Sequence, residues 1–190
     1  MAEAHRPRRA ALLAAALLAG AASAAELRLL PADSEIAFTS RQMGVPVQGR
    51  FKTFDAEVDF DPARPEAARV VLRIALASAS IGTAETEAEL AKPGWFDTRR
   101  HPSADFVATA LRPAGAERYE LAGRLTMKAT SRDLVVPMTL ARQGKRWVAR
   151  GIFVLRRSDF RIGDGDWSDP ALVADEVQVR FQLTLAAPGP

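Results

Sequence analysis

Val177-Gln-Val-Arg-Phe-Gln-Leu-Thr-Leu185 sets Val177, Val179, Phe181, Leu183 and Leu185 against Gln178, Arg180, Gln182 and Thr184. A strict period of two places every apolar side chain on one face of an extended strand and every polar one on the other. Ala186 to Pro190 then reads as a frayed tail. Upstream, Gly151-Ile-Phe-Val-Leu-Arg-Arg-Ser-Asp-Phe-Arg-Ile-Gly163 starts as the same kind of strand, ends charged and runs into Asp164-Gly165-Asp166-Trp167.

The same period governs most of the chain. Ile36, Phe38 and Ser40 share a face, as do Phe54, Ala56, Val58 and Phe60, and Val70, Leu72, Ile74 and Leu76. Phe106, Ala108 and Ala110 follow, then Tyr119, Leu121, Gly123, Leu125 and Met127, then Leu134, Val136, Met138 and Leu140. Pro137, on the opposite face of the last of these, predicts an edge or bulge because it cannot donate to a ladder. Gly49 before Phe51 suits a bulge.

The exception lies at Gly82-Thr83, where Thr83 is placed to cap a short helix over Ala84 to Leu90, ended by Lys92-Pro93-Gly94. Its glutamates sit near the N-terminus, where the helix dipole favours them. Only Ala84, Ala88, Leu90 and Ala91 are apolar there, so the helix covers a core built by strands. The fold class is therefore all-β: about eight antiparallel strands with short connections, in a barrel or a sandwich, plus one short covering helix. Large inward residues (Phe38, Phe106, Phe153, Phe181) alternate with small ones (Ala56, Ala108, Gly123, Gly151). They either interdigitate in a dry core or leave room for one elongated ligand.

Residues 1–24 stand apart from this pattern. His5-Arg6-Pro7-Arg8-Arg9, the Ala/Leu run Ala10 to Ala22 and Ala22-Ser23-Ala24 form the basic, apolar and cleavage regions of a secretory signal peptide. One domain, 25–190, remains. The leader takes three of the 26 basic and one of the 23 acidic residues with it, leaving a net charge of +1. Without a basic cluster, nucleic-acid binding is not expected. Cysteine is absent, which excludes disulfides, thiolate catalysis, Cys-ligated metals and a lipoprotein anchor. The expected location is a bacterial periplasm. An outer-membrane barrel is disfavoured by the scarcity of aromatics and the Pro-Gly-Pro terminus.

Several residues invite a chemical reading. Arg157 is in register with Phe153 and Leu155, so its guanidinium either meets a ligand oxygen at a barrel rim or pairs with Asp159 or Asp175 to close that rim. Asp164, Asp166, Asp169 and Asp175 are spaced loosely like a calcium loop, but the sixth position lacks glycine and the twelfth lacks glutamate, so no metal is expected. His101 is the only histidine after the leader, with neither a metal-ligand partner in spacing nor a nucleophile beside it. No catalytic residue is assigned and no enzyme is expected.

Leu90-Ala-Lys-Pro-Gly-Trp-Phe-Asp-Thr-Arg-Arg-His-Pro102 with Ala104-Asp105-Phe106, Gly123-Arg-Leu-Thr-Met-Lys-Ala-Thr-Ser-Arg-Asp-Leu134 and Leu155-Arg-Arg-Ser-Asp-Phe160 resemble, in order, segments of the YceI-like family. Gly49-Arg-Phe-Lys-Thr-Phe54 and Ser78-Ala-Ser-Ile-Gly-Thr83 extend the match over nearly all of the mature chain. Ala129 stands where that family usually carries glycine. The resemblance implies an extended lipocalin-like antiparallel barrel that binds and transports a polyisoprenoid or isoprenoid quinone, with no cofactor beyond that lipid. The inner-face candidates are then Phe38, Phe54, Val58, Leu72, Ile74, Phe106, Leu125, Phe153, Leu155, Arg157 and Phe181. Trp95 and Phe96 are either a lid over the pocket or a staple for the helix. The alternative is an accessory protein for a cytochrome b561-type membrane partner, because Asp164-Gly165-Asp166-Trp167 resembles an insertion in that branch of the family.

Overall fold

The computed structural model describes residues 25–187, so the leader lies outside the described residues. Six strands precede the helix: β1 (Ala25–Leu29), β2 (Glu35–Gln42), β3 (Val45–Phe51), β4 (Phe54–Phe60), β5 (Arg69–Ala75) and β6 (Ala79–Ser80). Helix α1 (Ala84–Leu90) is followed by β7 (Ser103–Gly115), β8 (Arg118–Met127), β9 (Thr130–Gln143), β10 (Arg146–Arg156) and β11 (Glu176–Ala186). Eight of them close a ring in the order β1-β4-β5-β7-β8-β9-β10-β11, and β11 returns to β1 through Leu29↔Leu185. Every pairing is antiparallel.

Beyond a turn at Pro31–Asp33, β2 carries on the course of β1 along β11, pairing Ile36 with Phe181, and β3 leads into β4. These extra strands lengthen the barrel at the end that carries α1. The helix has the expected bounds, and the Thr83 hydroxyl accepts from the Thr86 N–H at 3.3 Å.

Local details correct several sequence expectations. The β2–β3 register runs through Gly49 without a bulge; the missing Cβ instead makes room for the Phe38 ring and Ile81. The bulge lies in β7, where the register shifts between Ala108 and Ala110 and turns Leu111, rather than Ala110, into the buried residue. β11 stays paired through Ala186, so the chain does not fray there. Pro137 behaves as expected: the β9–β10 ladder stops at Gly151↔Met138, one residue short of it.

The core falls into two packed groups. One is a plug of Leu27, Leu29, Val58, Phe60, Leu111, Leu140 and Leu185, with the Trp147 ring edge-on to Phe60 at 5.1 Å between centroids. The other, at the α1 end, joins Leu76, Leu90, Phe96, Met127, Phe160 and Ile162.

Candidate functional site

Between these groups the inward stripes of the strands enclose an apolar cavity of about 210 Å³. Strand alternation builds its wall: Ile36, Phe38 and Ser40 on β2, Leu134 and Val136 on β9, Phe153 and Leu155 on β10, and Val177, Val179, Phe181 and Leu183 on β11. None of the ten buried residues of the plug group touches it, so that end of the barrel is solid.

The expected inner-face residues divide accordingly. Phe38, Leu72, Ile74, Phe106, Leu125, Phe153, Leu155, Arg157 and Phe181 all line the cavity. Phe54 and Val58 do not: Val58 is buried within the plug and Phe54 packs against it. No residue of β4 lines the cavity, although Ile74 and Val70, the cross-strand partners of Phe54 and Val58 on β5, do. Sequence reading also passed over Ile36, Phe51, Val70, Leu90, Val136, Val173 and Val179, all of which line the cavity. Period two had already set Ile36, Val70, Val136 and Val179 inward; which inward residues border the open space was the missing information.

The small inward residues do not leave the space expected of them. Phe38 lies over its cross-strand partner Gly49, Phe106 over Gly123, and Phe181 over its partner Gly151, with ring atoms 2.6 Å from where a Cβ on Gly151 would stand. The glycines are seats for rings, and the lumen comes from the spacing of the strands around them.

Arg157 is buried, at 4% exposure; its backbone N–H donates to the Asp175 carbonyl at 2.9 Å, but its guanidinium pairs with neither the Asp159 nor the Asp175 carboxylate. Nε donates to the carbonyl of Ala174 at 3.2 Å, Nη1 to Ile162 and Gly163 at 2.8 and 2.9 Å, and Nη2 to Trp167 and Val173 at 2.8 and 2.7 Å. All five N–H groups are thereby engaged by backbone carbonyls. The residue ties the 157–175 segment into one unit, so its role as a headgroup ligand is corrected to that of a buried anchor. The carboxylates around it serve the same loop: Asp175 accepts from the Ser158 N–H at 3.0 Å and Asp169 from the Ala171 N–H at 2.8 Å. Burial alone raises the Asp175 carboxyl, but the Ser158 hydroxyl and N–H, with the charges of Arg157 and Arg156, outweigh it and hold the group below its ordinary range.

Trp95 and Phe96 line the cavity from the α1 side. Phe96 is buried, packs on Phe51 at 6.1 Å between centroids and donates its N–H to the Leu90 carbonyl. The Gly94 carbonyl accepts from Gly163 and Asp164, and Lys128 donates to the carbonyls of Pro93 and Arg161. This is the geometry of a staple that joins α1, the β8–β9 turn and the Arg157 loop. Burial lowers the pKa of the Lys128 ammonium.

A closed antiparallel barrel, solid at one end and holding an apolar cavity, places the chain among the cavity-bearing β-barrels. More specifically, the chain belongs to the YceI-like family, whose domain model matches residues 27–185. A UPF0312 protein of Pseudomonas putida strain GB-1 is 31% identical over 139 residues, covering 71% of this chain and 72% of that protein. The crystal structure of Burkholderia cenocepacia BcnA superposes with a TM-score of 0.80 at 38% identity, covering 82% of this chain and 98% of that one. A polyisoprenoid binding domain from Saccharophagus degradans, implicated in plant cell wall breakdown, shares the fold with a TM-score of 0.71 at 16% identity over 86% of this chain and 99% of its own.

Proposed function

We propose that this protein binds the apolar tail of an isoprenoid lipid, a polyprenyl chain or an isoprenoid quinone, in its barrel cavity and carries it through the periplasm as a binding protein rather than an enzyme. The observation that carries the reading is the lining itself: of the 26 residues around the cavity only Ser40, Trp95 and Arg157 carry a side-chain nitrogen or oxygen, and almost no polar surface faces the space. Such a space excludes water and rewards hydrocarbon. An apolar cavity of roughly 150 Å³ already suffices for a benzene ring, and this one is larger. Burial is worth about 0.8 kcal/mol per methylene, so a short run of isoprene units offsets an association cost of roughly 4–15 kcal/mol. A longer tail requires the lining side chains to move apart.

The polyisoprenoid-binding domain of Saccharophagus degradans gives this ligand class a precedent on the same fold. The periplasmic part of the reading rests on the leader pattern of residues 1–24. Organic extraction of protein purified from its native host, followed by mass spectrometry, tests the whole. The expected result is one dominant isoprenoid species near equimolar amount; extracts that contain no isoprenoid, from protein that also takes none up, refute it.

A further inference from the structure

The β9–β10 ladder stops at Gly151↔Met138, yet both strands run on past it. β9 stays paired to β8 from Pro137 back to Thr130, and β10 to β11 from Ile152 to Arg156. Among the described residues no register joins these two stretches to each other. The barrel wall therefore carries a seam whose two facing edges are not tied by a ladder.

Both strands depart from period two where they border the seam. Ile152-Phe153-Val154-Leu155 on β10 and Leu134-Val135-Val136-Pro137 on β9 are apolar without interruption. Leu134, Val136, Phe153 and Leu155 line the cavity, whereas Val135, Ile152 and Val154 stand outside at 58%, 53% and 52% exposure. Runs of this kind mark strands that are covered on both faces. The neighbouring outward row of β11, with Gln178, Arg180 and Gln182, is polar, as is that of β4, with Asp55, Glu57 and Asp59. An exposed apolar patch and the apolar wall of the cavity thus meet along one unpaired line.

A lipid surface suits this patch better than an added strand. The two free edges face each other within one wall, and Pro137 has no N–H to offer, so neither serves as a template for another chain. Hydrocarbon needs no hydrogen bonds, and a seam without ladder bonds widens without losing any. Arg150 and Arg156, both exposed, bracket Ile152 and Val154 on the same outward row. Arginine at a membrane interface lays its stem along hydrocarbon and keeps its charge among the wet headgroups. Building on the reading of the cavity as a lipid site, we infer that the β9–β10 seam is a side entrance through which an isoprenoid tail passes between a membrane and the cavity. Val135, Ile152 and Val154 are the face that rests on the membrane during that transfer.

The test is the rate at which protein takes geranylgeraniol from phosphatidylcholine vesicles, read by pelleting the vesicles at intervals and assaying the soluble protein by mass spectrometry. Wild type is compared with Ile152→Glu/Val154→Glu and with Met43→Glu/Val45→Glu. Met43 and Val45 are also exposed, at 70% and 64%, but lie at the β2–β3 turn and do not line the cavity. The seam pair is expected to slow uptake by at least about tenfold, because carboxylates resist entry into hydrocarbon, while the turn pair keeps the wild-type rate. Geraniol, delivered from water, is expected to titrate into all three proteins with one affinity, which shows that the variants are folded and their cavities intact. A wild-type rate in the seam pair overturns the inference, as does equal slowing by the turn pair. A wild-type dimer that the seam substitutions dissolve, seen by sedimentation velocity, overturns it too, since a second copy then covers the patch. Failure of wild type to take up either alcohol refutes the lipid reading itself, and the entrance with it.

Discussion

Arg157 donates from Nη1 to the carbonyl of Gly163 at 2.9 Å, and the same nitrogen occupies the space where a Cβ on Gly163 would stand. Gly163 also has a φ of +74°, so two independent constraints exclude a side chain. Gly163→Ala is expected to cost roughly 2–4 kcal/mol, the sum of left-handed strain and displacement of a packed guanidinium. Gly144→Ala, at a φ of +62° with nothing within 4 Å, isolates the strain alone and is expected to cost about 1 kcal/mol. Urea unfolding of the pair measures the difference. Equal costs at the two sites remove the anchoring role assigned to Arg157.

Ala129 sits in the β8–β9 turn at a φ of +58°, directly after Lys128 at +48°. An L side chain is strained there, and glycine is not. Ala129→Gly is therefore expected to stabilise the protein by about 0.5–1.5 kcal/mol after the entropy of the added freedom is deducted. A higher melting temperature is the sign of success; a lower one shows that the turn tolerates alanine without strain.

The pH response of the Arg157 loop runs through Asp175. Its folded carboxyl is held below the ordinary aspartate value of 3.8. A depressed folded pKa adds stability that is fully present above 3.8 and is lost as the pH falls through the lower folded value. Asp175→Asn removes that contribution, so the stability gap between wild type and variant is expected to be widest at neutral pH and to narrow below 3.8. Denaturant titrations at several pH values follow it, and a gap independent of pH contradicts the assignment.

How much of this was legible in the chain depends on distance along it. The strand faces follow from period two, and α1 with its Thr83 cap follows from four residues of local chemistry. Which inward residues border the open space does not. Val58 and its cross-strand partner Val70 look alike in sequence, yet only Val70 lines the cavity. Ring-over-glycine packing depends on register: Phe38 meets Gly49 and Phe181 meets Gly151 only once the strands are paired. Arg157 is buried, and its guanidinium's partners are carbonyls 5 to 17 residues downstream, which no alternation reports.

The cavity can be filled by substitution. Val179 lines it on β11, beside its cross-strand partners Phe38 and Phe153. Val179→Trp puts an indole into the space, and calorimetric titration with geranylgeraniol beside wild type tests the central claim most directly. Saturable one-to-one binding by wild type, with at least a tenfold loss in a variant of near-unchanged melting temperature, is the expected result. A barrel that is packed solid instead predicts overpacking damage of roughly 1–3 kcal/mol and no saturable binding by wild type, and that outcome contradicts the account.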